Sequence, residues 1–202
     1  MPSGSALAIE TDRLLLREVR ETDADAFAAY MPRETYWRHL PIDPPTRAWV
    51  EASVARRIQE QSDEPRTAWL LAAVLRDTDE VVGEGLLKIT DRGRTQGEIG
   101  WGLDSRFAGR GLATEIGGAM LALGFEHLGL HRIAAMCRVE NTASRRVMDK
   151  LGMREEGALR EHLRVRGEWW SSHLCSILRP EYEAAGRAPA SERGLPRIRN
   201  AD

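Results

Sequence analysis

A chain of 202 residues with a net charge of -2 is long enough for one domain with a substantial core and too short for two full ones. The balance of charge argues against a broad basic surface that wraps nucleic acid, and no apolar run approaches the roughly 20 residues that span a bilayer. Cys137 and Cys175 lie far apart in strand-like runs and read as buried reduced thiols of a cytoplasmic protein, while Met1 to Ala8 lacks the basic start and apolar run of an export signal.

In chain order, Arg13 to Val19 is a short apolar run that fits a strand, and Glu21 to Phe27 sets capping residues before an Ala-rich amphipathic stretch, which predicts a helix. Tyr36 to Pro45 is aromatic and Pro-rich and reads as a loop. A helix from Thr46 to Gln61 follows. Thr67 to Arg76 and Val81 to Ile89 are β-rich runs joined as a hairpin by Asp77-Thr78-Asp79-Glu80, and Gly97 to Leu103 extends the same antiparallel sheet. The period then turns helical, with Leu112, Ile116, Met120, Leu123 and His127 on one face and Gly129 at the end. His131 to Val139 is a strand, Thr142 to Leu151 a short helix closed by Gly152, and Met153 to Leu178 two strands around Arg166-Gly167. From Ala184 to Asp202 the chain has no periodicity and is expected to be a loosely ordered tail. The expected architecture is one α/β domain over residues 9–183, a mixed α+β sheet covered by helices.

The turn Arg106-Phe107-Ala108-Gly109-Arg110-Gly111 falls between a strand and the most periodic helix. A helix start presents unpaired N–H groups at the positive end of its dipole, and Gly109 and Gly111 let the backbone approach an anion without interference from a Cβ. A glycine pair before a helix is also an ordinary tight turn. The surrounding order of elements favours a phosphate cradle.

Arg-x-x-Gly-x-Gly followed by Leu-Ala-Thr-Glu resembles the acyl-CoA signature of the GNAT superfamily of N-acetyltransferases, and Asn141-x-x-Ser144 leading into Lys150-Leu151-Gly152-Met153 resembles its second conserved region. Thr11 to Arg17 and Gly167-Glu168-Trp169 are similar to the branch that contains the Rim-type ribosomal-protein N-terminal acetyltransferases. The resemblance covers residues 9 to 183. It implies a mostly antiparallel central sheet that splays at the acyl-CoA site, with acetyl-CoA as co-substrate, an amine-bearing acceptor, no metal, and homodimerisation as a common feature of the branch. It carries the donor site onto Trp101, Gly102, Leu103, Arg106, Gly109, Arg110, Gly111, Ala113, Thr114, Asn141 and Ser144. Arg106 and Arg110 are equally readable as solvated charges, and Asn141 as a helix N-cap.

Acyl transfer from a thioester to an amine needs a neutral nucleophile, a polarised carbonyl and a proton for the thiolate, and free alkyl amines are protonated at neutral pH. Glu98 is the first candidate base, since its strand resembles the family's glutamate-bearing central strand; the alternative is a solvent-facing or arginine-paired side chain. Glu161 is the second, two residues before Leu163, which stands where Rim-type relatives place a glutamate. Gly102 and Leu103 would turn backbone N–H groups toward the thioester carbonyl if their strand parts from the one at His131, with a bulge at Gly100 or Gly102 as the expected cause. Ser144 matches the serine that protonates the leaving thiolate, or else caps its helix.

Tyr36, Trp37, Trp169 and Ser171, with Tyr30, His39 and Trp170, are expected to wall the acceptor pocket, the aromatics being otherwise core or surface anchors. Ser171 and Cys175 replace an acidic residue and a tyrosine of the branch, which leaves the acceptor open between a peptide N-terminus and a small amino compound. A succinyl or longer acyl donor and a non-catalytic acyl-CoA-binding module are the alternative readings. His127 and His131, separated by Gly129, do not make a metal site, and Ser171-Ser172-His173 lacks a nucleophile elbow.

Overall fold

The computed structural model describes residues 7–185 and the backbone of Arg197–Asn200. The strands are β1 (Leu7–Glu10), β2 (Leu14–Glu18), β3 (Ala68–Leu75), β4 (Val81–Ile89), β5 (Gln96–Leu103), β6 (Arg132–Arg138), β7 (Arg154–Val165), β8 (Glu168–Leu178) and β9 (Arg197–Asn200). They form one sheet in the order β7-β8-β6-β5-β4-β3-β2-β1-β9. The helices are α1 (Ala24–Tyr30), α2 (Glu34–Trp37), α3 (Arg47–Glu60), α4 (Leu112–Ala122), α5 (Thr142–Lys150) and α6 (Arg179–Ala184). Every described pair of strands is antiparallel except β5 with β6.

The central strand β3 reads as an unbroken apolar run because it is covered on both faces. Trp69, Leu71, Ala73 and Leu75 join the larger core with Ile116 and Met120 of α4 and Met148 of α5. Leu70, Ala72 and Val74 join a second cluster with Phe27 and Tyr30 of α1 and Val50 and Val54 of α3. The second cap stops short of the β6–β8 half of the sheet. Met136, Leu159 and Leu163 consequently remain exposed.

Four local expectations are corrected. The short strand β1 precedes the expected first strand, its four residues being too few for a period to show. A single helical turn, α2, sits inside the expected loop. The helix after the glycine turn widens into a π-turn at Leu123–His127, which shifts its phase, so that Phe125 is buried and His127 exposed. Within the stretch expected to be a loose tail, Ala184 ends α6 and Arg197–Asn200 pair with β1, whose edge carries N–H and C=O groups that an extended segment can satisfy. Residues 186–196, 201 and 202 of that stretch lie outside the described residues. Cys137 and Cys175 are buried and unbridged.

Candidate functional site

The glycine turn is built from below. Asp104, fully buried, caps the 3-10 turn Ser105–Phe107 by accepting from the backbone N–H of Arg106 at 3.0 Å, and Phe107 anchors the turn in the core. Gly109 and Gly111 have φ of 76° and 80°, in the left-handed region where a side chain is strained. Gly111 is the N-cap of α4; its carbonyl takes the N–H groups of Thr114 and Glu115, leaving those of Leu112 and Ala113 at the open end of the helix. Ala108 to Gly111 are exposed. Arg106 is committed elsewhere, donating to Asp104 at 2.8 Å and to Glu80 at 3.2 Å, whereas Arg110 lies over the Phe107 ring beside the turn.

The first turn of α4 is tied to the start of the chain. Glu115 accepts from the Thr11 hydroxyl at 2.5 Å and from the backbone and side chain of Arg13 at 2.8 Å, and Arg13 also donates to the carbonyl of Arg110 at 2.9 Å. Burial pushes the Glu115 carboxyl up, but these hydrogen bonds outweigh it and hold the group below its ordinary value. A carboxyl held low lends stability that is present above its unfolded pKa of about 4.3 and is lost as pH falls through the lower folded value. Thr11→Val is therefore expected to lower the melting temperature at pH 7 by a few degrees, for a loss of about 1 kcal/mol, with the gap narrowing below about pH 4.

Beside this turn the sheet opens. The parallel seam holds only at Gln96↔Arg132, Gly97↔Ile133 and Glu98↔Ala134; β5 then follows β4 as far as Leu103, and β6 follows β8 as far as Arg138. The splay is as expected, but its cause is not. The β4–β5 ladder has no register shift, so no bulge at Gly100 or Gly102 drives it. Two antiparallel blocks, each with its own twist, part beyond a three-residue seam.

Ladder parity decides which backbone groups face the opening. Asp104 N–H donates to Val82 and Thr90 N–H to Gln96, which marks the even-numbered residues of β5 as those bonded to β4. Gly102 therefore turns its N–H to β4, while Trp101 and Leu103, beyond the last seam contact, turn theirs into the opening. Of the expected donors Leu103 keeps its place, and Trp101 stands where Gly102 was expected. The Trp101 ring lies against Gly117 of α4, where a Cβ would come within 3.4 Å of it. On the far side of the opening, Asn141 caps α5 by accepting from the Ser144 N–H at 3.1 Å.

The face that carries α1 to α3 shows the acid-base groups. Glu98 stands there at the closed end of the opening, opposite Lys88, and burial pushes its carboxyl up against the opposing charge of Lys88. Over Gly100 is open space, since a Cβ there would meet nothing within 4 Å. Next along the same face lies Gly102, against which Glu84 and Tyr36 pack: a Cβ on Gly102 would be 2.7 Å from Glu84 Oε1 and 2.9 Å from the Tyr36 ring. Glu84 accepts from the hydroxyls of Tyr30, at 2.9 Å, and Tyr36.

Across the mouth, the hairpin tip reaches back to the α2–α3 loop. Arg166 donates to the carbonyls of Arg38 and Leu40, each at 3.2 Å, and of Ile42, and lies over the rings of Trp37 and Trp170. Arg138 covers Trp170 at 4.1 Å. Trp170 Nε1 and His39 Nδ1 are buried without a hydrogen-bond partner. Burial pushes the His39 imidazole down, helped by Arg38 and Arg138 and opposed by Glu140.

Thus Tyr30, Tyr36, Trp37, His39 and Trp170 gather on one face. Strand alternation turns Trp169, 60% exposed, and Ser171 to the other. Glu161 sits at φ 49° in a bulge between Leu159 and Leu163, exposed, its N–H donating to Ser171 Oγ at 3.0 Å. The bulge breaks the alternation that would align Glu161 with Leu163. Sequence reasoning missed Glu84, Arg166 and the Thr11–Glu115 tie; an isolated glutamate in an apolar strand run was the one available signal for Glu84. No group of three or more His, Cys, Asp or Glu able to hold a metal occurs among the described residues, and no helix there is long and apolar enough to cross a membrane.

Comparison with known proteins bears on this geometry. Residues 13–154 match the family model described as an acetyltransferase (GNAT) domain. The uncharacterized N-acetyltransferase YnaD of Bacillus subtilis (strain 168) is 32% identical over 174 residues, spanning 86% of this chain and 98% of that protein. The [ribosomal protein uS5]-alanine N-acetyltransferase of Escherichia coli (strain K12) is 23% identical over 180 residues, 86% of this chain and 92% of that one. Among solved structures, an acetyltransferase (GNAT family) from Bacillus anthracis superposes with a TM-score of 0.76 at 29% identity, covering 86% of this chain and 99% of that chain.

Proposed function

Because this chain belongs to the GNAT acetyltransferase family, we propose that it moves an acetyl group from acetyl-CoA to a primary amine by direct attack in a ternary complex. The observation that carries this reading is the coincidence of an exposed, positive-φ glycine turn at a helix start with a sheet that parts beside it. The donor pyrophosphate rests on the N–H groups from Gly109 to Ala113, where the helix dipole and the exposed backbone favour an anion. Arg110 adds charge. Thr114 and the capped start of α5, Asn141 to Ser144, flank the same donor.

The pantetheine arm lies along the free edge of β5 as a surrogate strand, using the backbone groups of Trp101 and Leu103. The thioester carbonyl takes one of these N–H groups, which stabilises the oxyanion that forms on attack. The amine arrives from the face of α1 and α2, and it must lose a proton before its nitrogen can attack. Ser144 supplies a hydroxyl near the leaving thiolate. A covalent route through a cysteine is disfavoured because burial pushes the Cys137 thiol up to about 11, leaving little thiolate at neutral pH. The unbridged thiols also support a cytoplasmic location.

Acetyl-CoA titrated by calorimetry, followed by release of free thiol in the presence of peptides beginning with Ala or Ser and of small primary amines, tests the reading. Saturable binding with amine-dependent thiol release is the expected result. Absence of acetyl-CoA binding would overturn it, and binding without turnover on any amine would leave a non-catalytic acyl-CoA module.

A further inference from the structure

Glu84 is 5% exposed, and its oxygens are held by two phenol hydroxyls rather than by a cation. A buried carboxylate kept without a positive partner is costly, and fixing α1 and α2 to the sheet could be done by a neutral group. Its position gives it a use. The N–H groups of Trp101 and Leu103 point into the opening on either side of Gly102, so a carbonyl oxygen held by either one lies within one residue, about 3.3 Å along the strand, of the level of Gly102. Tyr36 packs on Gly102 itself. The Cα of Glu98 is three residues below Trp101, about 10 Å along the strand, and reaches that level only through water.

We propose, resting on the acyl-transfer reading above, that Tyr36 backed by Glu84 is the group that deprotonates the acceptor amine. The ammonium N–H gives its proton to Tyr36 Oη as the Tyr36 hydroxyl proton passes to Glu84. The freed lone pair attacks the thioester carbon; the C–S bond then breaks with its electron pair leaving on sulfur, and the second N–H proton of the intermediate goes to that thiolate. Glu84 returns its proton to water. Tyr36 touches the substrate and is the catalytic residue; Glu84 acts through it.

The surroundings fit a relay rather than a phenolate. Burial, then the charge of Glu84, pushes the Tyr36 hydroxyl well above its ordinary value, and Tyr30 is raised by burial and by Glu84 in the same way. An isolated Tyr36 would thus stay neutral, and in a relay it gains one proton as it gives another. The other charged groups bearing on the pair are Arg57 of α3, which acts on Tyr36, and Asp104, which acts on Tyr30; Lys88 and Glu98 face the same side farther down β4 and β5.

Tyr36→Phe keeps the ring against Gly102 and removes only the hydroxyl, and Glu84→Gln removes the charge. At pH 7 both are expected to lower kcat roughly 100-fold in amine-dependent thiol release, with acetyl-CoA affinity within twofold of the parent. Because an alkyl amine ionises near pH 10, raising the pH to 9.5 supplies neutral amine without a base, and the deficit should shrink below about tenfold. Glu98→Gln should change kcat less than tenfold. The proposal is overturned if Tyr36→Phe stays within threefold of the parent at pH 7, if its loss is the same at pH 9.5, or if Glu98→Gln carries the loss instead. A parent chain that binds no acetyl-CoA would remove the acyl-transfer reading and this proposal with it.

Discussion

Gly109→Val is expected to weaken acetyl-CoA binding about 1,000-fold with little change in melting temperature. The position has φ 76°, and a β-branched residue held there costs on the order of 1–3 kcal/mol. A Cβ at Gly109 would meet nothing within 4 Å, so the fold has room for the side chain. The strain is relieved by moving the turn, and moving the turn takes N–H groups away from the phosphate. Each charge-assisted hydrogen bond lost adds about 1.5–3 kcal/mol, so a combined loss near 4 kcal/mol corresponds to about three powers of ten. Calorimetric titration beside a thermal melt checks both halves. Unchanged affinity would show that the donor does not rest on this backbone.

Gly102→Ala is expected to cost both stability and turnover. Its new methyl would stand 2.7 Å from Glu84 Oε1 and 2.9 Å from the Tyr36 ring, closer than real Cβ contacts come. Overpacking of this kind costs about 1–3 kcal/mol, which for a chain of this size lowers the melting point by roughly 2–10 °C. Relief requires Tyr36 to swing off β5, away from the level of the Trp101 and Leu103 N–H groups, so kcat should fall by more than about 100-fold if Tyr36 receives the amine proton. Gly100→Ala, two residues away on the same face with open space above it, is the control and should leave the melting temperature nearly unchanged.

These two substitutions differ in how far the sequence announced them. The glycines at 109 and 111 stand between a strand and a strongly apolar helical stretch, and a positive φ is a property of the residue and its immediate neighbours. The glycine turn and the helix it opens are therefore legible in the sequence. Gly102 reads from the sequence as a source of N–H, yet its backbone bonds to β4 and its missing Cβ is what Glu84 and Tyr36 require. That requirement comes from Glu84 and Tyr36, which stand 48 positions apart in the chain, and no local period connects them.

The sequence by itself determined the strands β2 to β8, the longer helices and the glycine turn that opens α4, because hydrophobic period, glycine conformation and helix capping act over a few residues. Only the tertiary structure decided where β5 and β6 part, which backbone N–H groups face the gap, and which side chains meet across it. A seam of three residues, a bulge at Glu161 that cancels strand alternation, and an arginine at 166 bonded to carbonyls more than 120 residues away depend on how twisted blocks of sheet come to rest against each other. Strand pairing energy is carried by contacts distant in sequence, and a single residue of register reverses which face or edge a group addresses.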